Sequence, residues 1–174
     1  IGIYKSTDNG STWTLLKSWD MVSTTSQPWP RMLYCAANNY IYTSADGGNA
    51  NDAGIWRSSN GSTFTRVLTL TGVERIWGID EDSNGYIYAG LYGTTTAKLY
   101  KSIDNGASFS QVWEDAAKLH IHDVAVDRSN NAIYIATGDT SAYVAKSTDG
   151  GTSFTPILSG IPQISRILIY SSSI

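Results

Sequence analysis

The chain has 174 residues, a formal net charge of −3, 16% charged residues and 41% apolar residues. This length allows one core or several small repeated units. The composition excludes a basic nucleic-acid-binding surface and a disordered polar chain. It also excludes a membrane-spanning helix, because no apolar run reaches about 18 residues.

The one cysteine, Cys35, excludes an intrachain disulfide and is expected to be a small buried residue. The sequence is rich in Ser, Thr, Gly, Asn and Tyr, which favours an extracellular or cell-surface setting. The chain begins at Ile1 and shows no signal peptide, so we expect a processed chain or a fragment.

Short segments of β-branched and aromatic residues, separated by turn signals, predict an all-β protein. In chain order they form a partial unit at 1–20, four-stranded units at 31–70, 74–114 and 120–158, and a partial unit at 164–174. In the unit 74–114 the predicted strands are RIWGID, YIYAGL, KLYKSI and SFSQVWE. Repeated units of about 45 residues with four strands each are typical of β-propeller blades.

A hairpin sequence recurs between the third and fourth strand of each unit, as YKSTDNGSTW, WRSSNGSTF, YKSIDNGASF and AKSTDGGTSF. Three copies match the pattern S-x-D-x-G-x-[ST]-[WF] in full. The second copy is one residue shorter and lacks the Asp, which predicts the loosest of the four turns. The glycine is expected at positive φ, the Asp is expected to accept backbone N–H bonds, and the aromatic is expected beneath the turn.

This motif resembles the Asp-box, or BNR repeat, of the propeller superfamily that includes sialidases, xyloglucanases and sortilin-like ectodomains. The resemblance implies a propeller with four-stranded antiparallel blades, about three of them complete and a partial blade at each end, as a segment of a larger propeller. It also implies a structural role away from the ligand site for the motif residues Asp8, Gly10, Trp13, Gly61, Phe64, Asp104, Gly106, Phe109, Asp149, Gly151 and Phe154.

Basic residues occupy one equivalent position in the first strands, which face the central channel of a propeller. These residues are Arg31, Arg75, His122 and Arg166. A ring of them would suit an anionic ligand through bidentate pairing. The alternative is that each arginine pairs with a nearby carboxylate such as Asp123 or Glu74.

Asp80, Asp82 and Asn84 match the first half of a calcium loop, but its twelfth position is Leu91 instead of Glu. We therefore predict a hairpin turn there, with calcium binding as the alternative and no cofactor assigned.

His120 and His122 lie two apart on a strand and share a face. Two histidines could hold a metal, but the sequence shows no third ligand, and solvated or channel-lining side chains are predicted instead.

Two classes of function stay open. The first is a non-catalytic binding or scaffold propeller, extracellular or on the cell surface, with a carbohydrate or protein partner and no nucleic acid. The second is a glycoside hydrolase, sialidase-like or xyloglucanase-like, whose catalytic acids lie partly outside this segment. Hydrolysis needs two carboxylates across a cleft, and the loop acids offer no evident pair, so no catalytic residue is assigned: Asp20, Asp46, Asp52, Asp123 and Asp139.

Overall fold

The computed structural model describes residues 2–18, 32–35, 37–45, 53–71, 74–93, 95–139 and 141–170. Within these ranges the protein is all-β and contains no helix, which confirms the predicted class. None of these residues forms a helix that could cross a bilayer.

The strands follow one another along the chain with short connections. They are β1 (Gly2–Lys5), β2 (Thr14–Ser18), β3 (Met32–Cys35), β4 (Tyr40–Ala45), β5 (Gly54–Ser58), β6 (Thr65–Thr69), β7 (Arg75–Glu81), β8 (Ile87–Tyr92), β9 (Ala97–Ser102), β10 (Ser110–Asp115), β11 (Ile121–Asp127), β12 (Ala132–Thr137), β13 (Ala142–Ser147) and β14 (Thr155–Ile161).

These strands form four antiparallel sheets, and within each sheet the strands are neighbours in chain order. The first sheet is β1–β2, and the other three are the four-stranded sheets β3–β6, β7–β10 and β11–β14. The prediction of four strands in each complete unit is therefore confirmed. Each sheet is a meander, which needs only hairpin connections.

Successive sheets pack face to face, and an apolar cluster fills each gap. Between β3–β6 and β7–β10 the cluster includes Tyr42, Ile55, Ile76 and Ile87. The next gap holds a cluster built from β8, β9, β11, β12 and β13. Because β8 is covered on both faces, five of its six residues are buried, and its sequence IYAGLY is apolar throughout instead of alternating.

The first strands of successive sheets lie against one another. A Cβ on Gly78 of β7 would be 2.2 Å from the backbone nitrogen of Val124 in β11. A Cβ on Gly90 of β8 would be 2.5 Å from Cγ2 of Ile121. Glycine at these two positions therefore allows the close approach of β7 and β8 to β11.

The hairpin turn of each later sheet rests on the sheet before it. The Tyr42 hydroxyl donates to the Asn105 carbonyl at 2.7 Å, and Nη1 of Arg57 donates to the same oxygen at 2.8 Å. One sheet further on, Lys101 Nζ donates to the Gly150 carbonyl at 3.1 Å. The same inter-sheet contact thus repeats along the chain.

The predicted strand at Arg166–Tyr170 is not a strand, because residues 163–170 have no regular structure. The backbone N–H of Ile167 donates to the Asp123 carboxylate at 2.8 Å, so a side chain takes the place of a ladder partner. The remainder of the predicted terminal unit, residues 171–174, lies outside the described residues.

Candidate functional site

The carboxylates of the repeated hairpin motif are occupied within their own turns. Asp8 accepts the Thr12 N–H at 2.9 Å, the Thr12 hydroxyl at 2.6 Å and the Ser6 hydroxyl at 2.8 Å. Asp104 and Asp149 accept the equivalent bonds from their own turns.

These hydrogen bonds favour the charged form of each carboxylate. The Thr12 hydroxyl, the Thr12 amide and the Ser6 hydroxyl lower the pKa of Asp8 to about 2. The Ser108 hydroxyl and amide lower the pKa of Asp104 to about 2, and Ser153 lowers the pKa of Asp149 further. Such fully ionised, locally bonded groups are turn elements and poor proton donors.

Asn60 takes the place of the missing Asp in the second turn, which sequence reasoning overlooked. Its Oδ1 accepts the N–H groups of Ser62 at 2.8 Å and Thr63 at 2.9 Å. Ser58 Oγ accepts the Gly61 N–H at 2.8 Å, as Ser102 Oγ does for Gly106. The amide nitrogen of Asn60 cannot accept the hydroxyl bond that Asp8 accepts from Thr12.

The motif glycines have the predicted positive φ, from 69° at Gly61 and Gly106 to 91° at Gly151. The motif aromatics differ in burial. Phe64 is buried, Phe109 and Phe154 are half-buried, and Trp13 is 62% exposed. Trp13 is thus largely exposed to solvent, and its Nε1 donates to the Gly10 carbonyl of its own turn at 3.0 Å.

The predicted basic ring does not occupy one equivalent position, because the strand bulges match His122 with Trp77 and not with Arg75. Arg31 lies outside the described residues. Arg75 places its guanidinium 5.4 Å from the centre of the Tyr92 ring, and His122 lies 5.6 Å from the same ring. Arg166 is 65% exposed, with Nε 4.0 Å from the Asp123 carboxylate, as the local-pair alternative expects. Arg75 and His122 thus share a neighbour, whereas Arg166 pairs separately.

A row of stacked rings connects Arg75 to the two histidines. Trp77 stacks on Tyr92 with ring centres 3.8 Å apart, and Tyr92 stacks on His120 at 3.9 Å. The His120 and His122 rings are 4.8 Å apart and inclined by only 12°. Both imidazoles are buried, with 3% and 1% exposure, so the histidines are not solvated, and their position on a propeller channel stays a prediction.

Backbone carbonyls orient both imidazoles. His120 Nδ1 lies 3.1 Å from the Gly93 oxygen, and His122 Nδ1 lies 2.8 Å from the Ile164 oxygen. A carbonyl oxygen can only accept, so each Nδ1 carries a proton and donates it. In the neutral ring, Nε2 is then the atom with a lone pair.

Asp139 joins the two histidines from the connection between β12 and β13. Its Oδ2 lies 3.1 Å from His120 Nε2. One possible ligand atom from each of His120, His122 and Asp139 lies within 4.8 Å of the other two. The sequence could not point to Asp139 as the third ligand, because only the β12–β13 hairpin brings it beside β11.

The calcium-loop residues have protein donors on their oxygens. Asp80 accepts the Val126 N–H at 2.8 Å, and Asp82 accepts the Asn84 N–H and the Tyr88 hydroxyl at 2.9 and 3.1 Å. The cluster of three candidate ligands in the described residues is the histidine cluster, which contains neither aspartate.

A scan against models of known protein families finds no match, and no curated protein matches the chain with significance.

Proposed function

We propose that this chain forms blades of an Asp-box β-propeller, on a secreted or cell-surface protein, that binds a ligand without catalysis. The stacked four-stranded sheets support a propeller, as does the contact from each turn to the preceding sheet at Asn105 and Gly150. The bonding of Asp8, Asp104 and Asp149 within their turns supports the Asp-box family.

The observation that carries the absence of catalysis is the use of the carboxylates. Apart from Asp139, each acidic residue in the described ranges either accepts an N–H or O–H bond or forms an ion pair. Of the loop acids considered for hydrolysis, Asp123 accepts the Ile167 N–H and Asp139 lies 3.1 Å from His120 Nε2, while Asp20, Asp46 and Asp52 lie outside the described residues. A glycosidase needs one carboxyl group that donates a proton and a second across the cleft.

The ligand proposal rests on Arg75 and Tyr92 at adjoining strand ends. The guanidinium offers a charge for a carboxylate, and the hydroxyl of Tyr92, whose ring faces are stacked on Trp77 and His120, offers a hydrogen-bonding group for a sugar. An acidic carbohydrate fits both features, and we take it as the ligand class. An acidic protein surface is the second outcome that the test distinguishes.

A glycan array that includes neutral and acidic sugars tests this proposal. We expect binding to acidic glycans, weakened about 10- to 100-fold in Arg75→Gln because a hydrogen bond to a charged group is lost. Lys98→Gln, on β9, is the control and should bind as the wild type does. Binding only to acidic proteins would overturn the carbohydrate assignment.

Hydrolysis assays address catalysis separately. Incubation with chromogenic glycosides should release no product above the buffer rate. Turnover that disappears in Asp139→Asn or Asp123→Asn would overturn the non-catalytic proposal.

A further inference from the structure

We propose that His120, His122 and Asp139 bind a divalent transition-metal ion, with zinc as the preferred ion. Two imidazoles and one carboxylate are a ligand set that zinc uses in proteins, with a remaining position open to water or another donor. The ligand atoms already lie within 4.8 Å of one another.

The tautomers of both histidines suit metal binding. Each Nδ1 donates to a backbone carbonyl, of Gly93 or of Ile164. Metal-ligating histidines commonly have this outer hydrogen bond, which fixes the ring and leaves Nε2 as the ligand atom. Two different segments hold the two rings, so their orientation does not depend on the ion.

His120 provides an independent indication that a ligand is needed. Its Nε2 is fully buried and makes no hydrogen bond of acceptable geometry, although Asp139 Oδ2 is only 3.1 Å away. An unsatisfied buried polar group costs about 1–3 kcal/mol. A cation between nitrogen and carboxylate would satisfy both atoms, because the nitrogen offers a lone pair and the oxygen a negative charge.

The site needs only a small contraction. Tetrahedral zinc with bonds of about 2.0–2.1 Å places neighbouring ligand atoms about 3.3 Å apart. Asp139 can supply the movement, because its side chain is 44% exposed and lies on a hairpin connection. The His122 side is tight, since a Cβ on Gly138 would be 1.9 Å from His122 Nε2. The ion therefore enters from the Asp139 side.

The donor set also selects among ions. Imidazole nitrogen suits zinc, copper and nickel, whereas calcium and magnesium prefer oxygen ligands in greater number. We expect Zn²⁺ to bind and Ca²⁺ not to compete at similar concentrations. This inference does not depend on the carbohydrate proposed above, since none of its ligands is Arg75.

The test is titration of the metal-free chain with Zn²⁺ against a fluorescent chelator, with Co²⁺ as a spectroscopic probe. We expect one ion per chain and the visible absorption of tetrahedral cobalt. His120 and His122 are the only histidines in the chain, so imidazole-dependent binding can have no other source. Zinc should also shift the imidazole nitrogen NMR signals of the unmutated chain.

Asp139→Asn is the main variant, because asparagine tolerates the positive φ of 61° at this position. We expect its zinc affinity to fall by at least about 10- to 100-fold, which is the loss seen even for an outer-sphere partner. Asp127→Asn, at the end of β11, is the matched control and should bind as the wild type does.

Two results would overturn the proposal. One is equal zinc affinity in the wild type and Asp139→Asn. The other is zinc binding without any change in the imidazole nitrogen signals. The second measurement uses the unmutated chain, so it decides the matter even if Asp139→Asn fails to fold.

Discussion

The hairpin turns and the histidine cluster are opposite in almost every respect. The turns repeat in sequence, lie mostly at the surface, and bond their carboxylates to N–H and O–H groups a few residues away. The cluster occurs once and its two imidazoles are buried, and its members come from the start of β11, the residue before it and the β12–β13 connection. Its rings are held by carbonyls 27 and 42 residues distant.

This contrast shows where to look for chemistry in a repeat protein. A feature that all units share provides something that all units need. Here the shared hairpin motif provides a stable turn that contacts the preceding sheet. In the strand register His122 occupies the bulge that Trp77 occupies in the preceding sheet, and His120 precedes Ile121 as Arg75 precedes Ile76. The departure from the repeat, and not the repeat, brings titratable groups together. Substitutions in the turns should therefore change stability, and substitutions in the cluster should change binding.

The largest expected effect is that of Gly106→Ala. A Cβ there would lie 2.3 Å from the buried Tyr42 ring, on a residue with φ of 69°. Strain and overpacking together should lower the free energy of unfolding by about 2–5 kcal/mol. Urea unfolding measures this, with Gly10→Ala as the comparison.

Gly10 has a similar φ of 88°, but its added Cβ would come no closer than 3.8 Å to a neighbouring atom. Only the backbone cost of about 1–2 kcal/mol applies there. Zinc stoichiometry should be unchanged in both variants. Equal destabilisation by the two substitutions would show that the Gly106 turn gains nothing from the sheet beneath it.

A smaller effect is expected for Tyr42→Phe. The change removes the hydroxyl that donates to the Asn105 carbonyl at 2.7 Å, while Arg57 still donates to that oxygen. The free energy of unfolding should fall by about 1 kcal/mol. Tyr134→Phe, on β12, is the control in the same urea titration. A loss no greater than that of the control would show that this bond does not stabilise the contact between the two sheets.

The smallest effect is the acid dependence of Asp104→Asn. The pKa of Asp104 is lowered in the fold, so its ionised form stabilises the fold above about pH 4, and this contribution disappears as pH falls through about 2. The wild type should be more stable than the variant at pH 7, and the difference should vanish near pH 2.

Thermal unfolding at several pH values follows this difference. Ser108→Ala gives a second check, because loss of the hydroxyl donor should raise the pKa of Asp104 toward its ordinary value in an NMR titration. A difference between wild type and Asp104→Asn that stays constant with pH would contradict the assigned role of the carboxylate.

The strands could be predicted because their signals are local. RIWGID and YIYAGL fall on β7 and β8, and the turns between them contain the expected Asn and Gly. The strand predicted at Arg166–Tyr170 failed because an apolar, β-branched sequence does not determine its partner. There the Asp123 carboxylate bonds the Ile167 amide.

The candidate site could be predicted only in part. The shared face of His120 and His122 follows from their spacing. The alignment of His122 with Arg75 was wrong, because the strand bulges give His122 the position of Trp77. Asp139 and Tyr92 join them through hairpins and inter-sheet packing, which no local pattern encodes. Asn60 was overlooked because the motif specifies an aspartate, whereas here an amide oxygen accepts the N–H bonds of the turn.

The contact between each turn and the preceding sheet also gives the chain a direction of assembly. The sheet β3–β6 acquires the bonds from Tyr42 and Arg57 to Asn105 only after the β9–β10 turn has been synthesised. Domains fold as the chain emerges, with the N-terminal part first. The sheets β3–β6 and β7–β10 therefore leave the ribosome without these bonds, and each gains them when the next sheet of this chain has emerged.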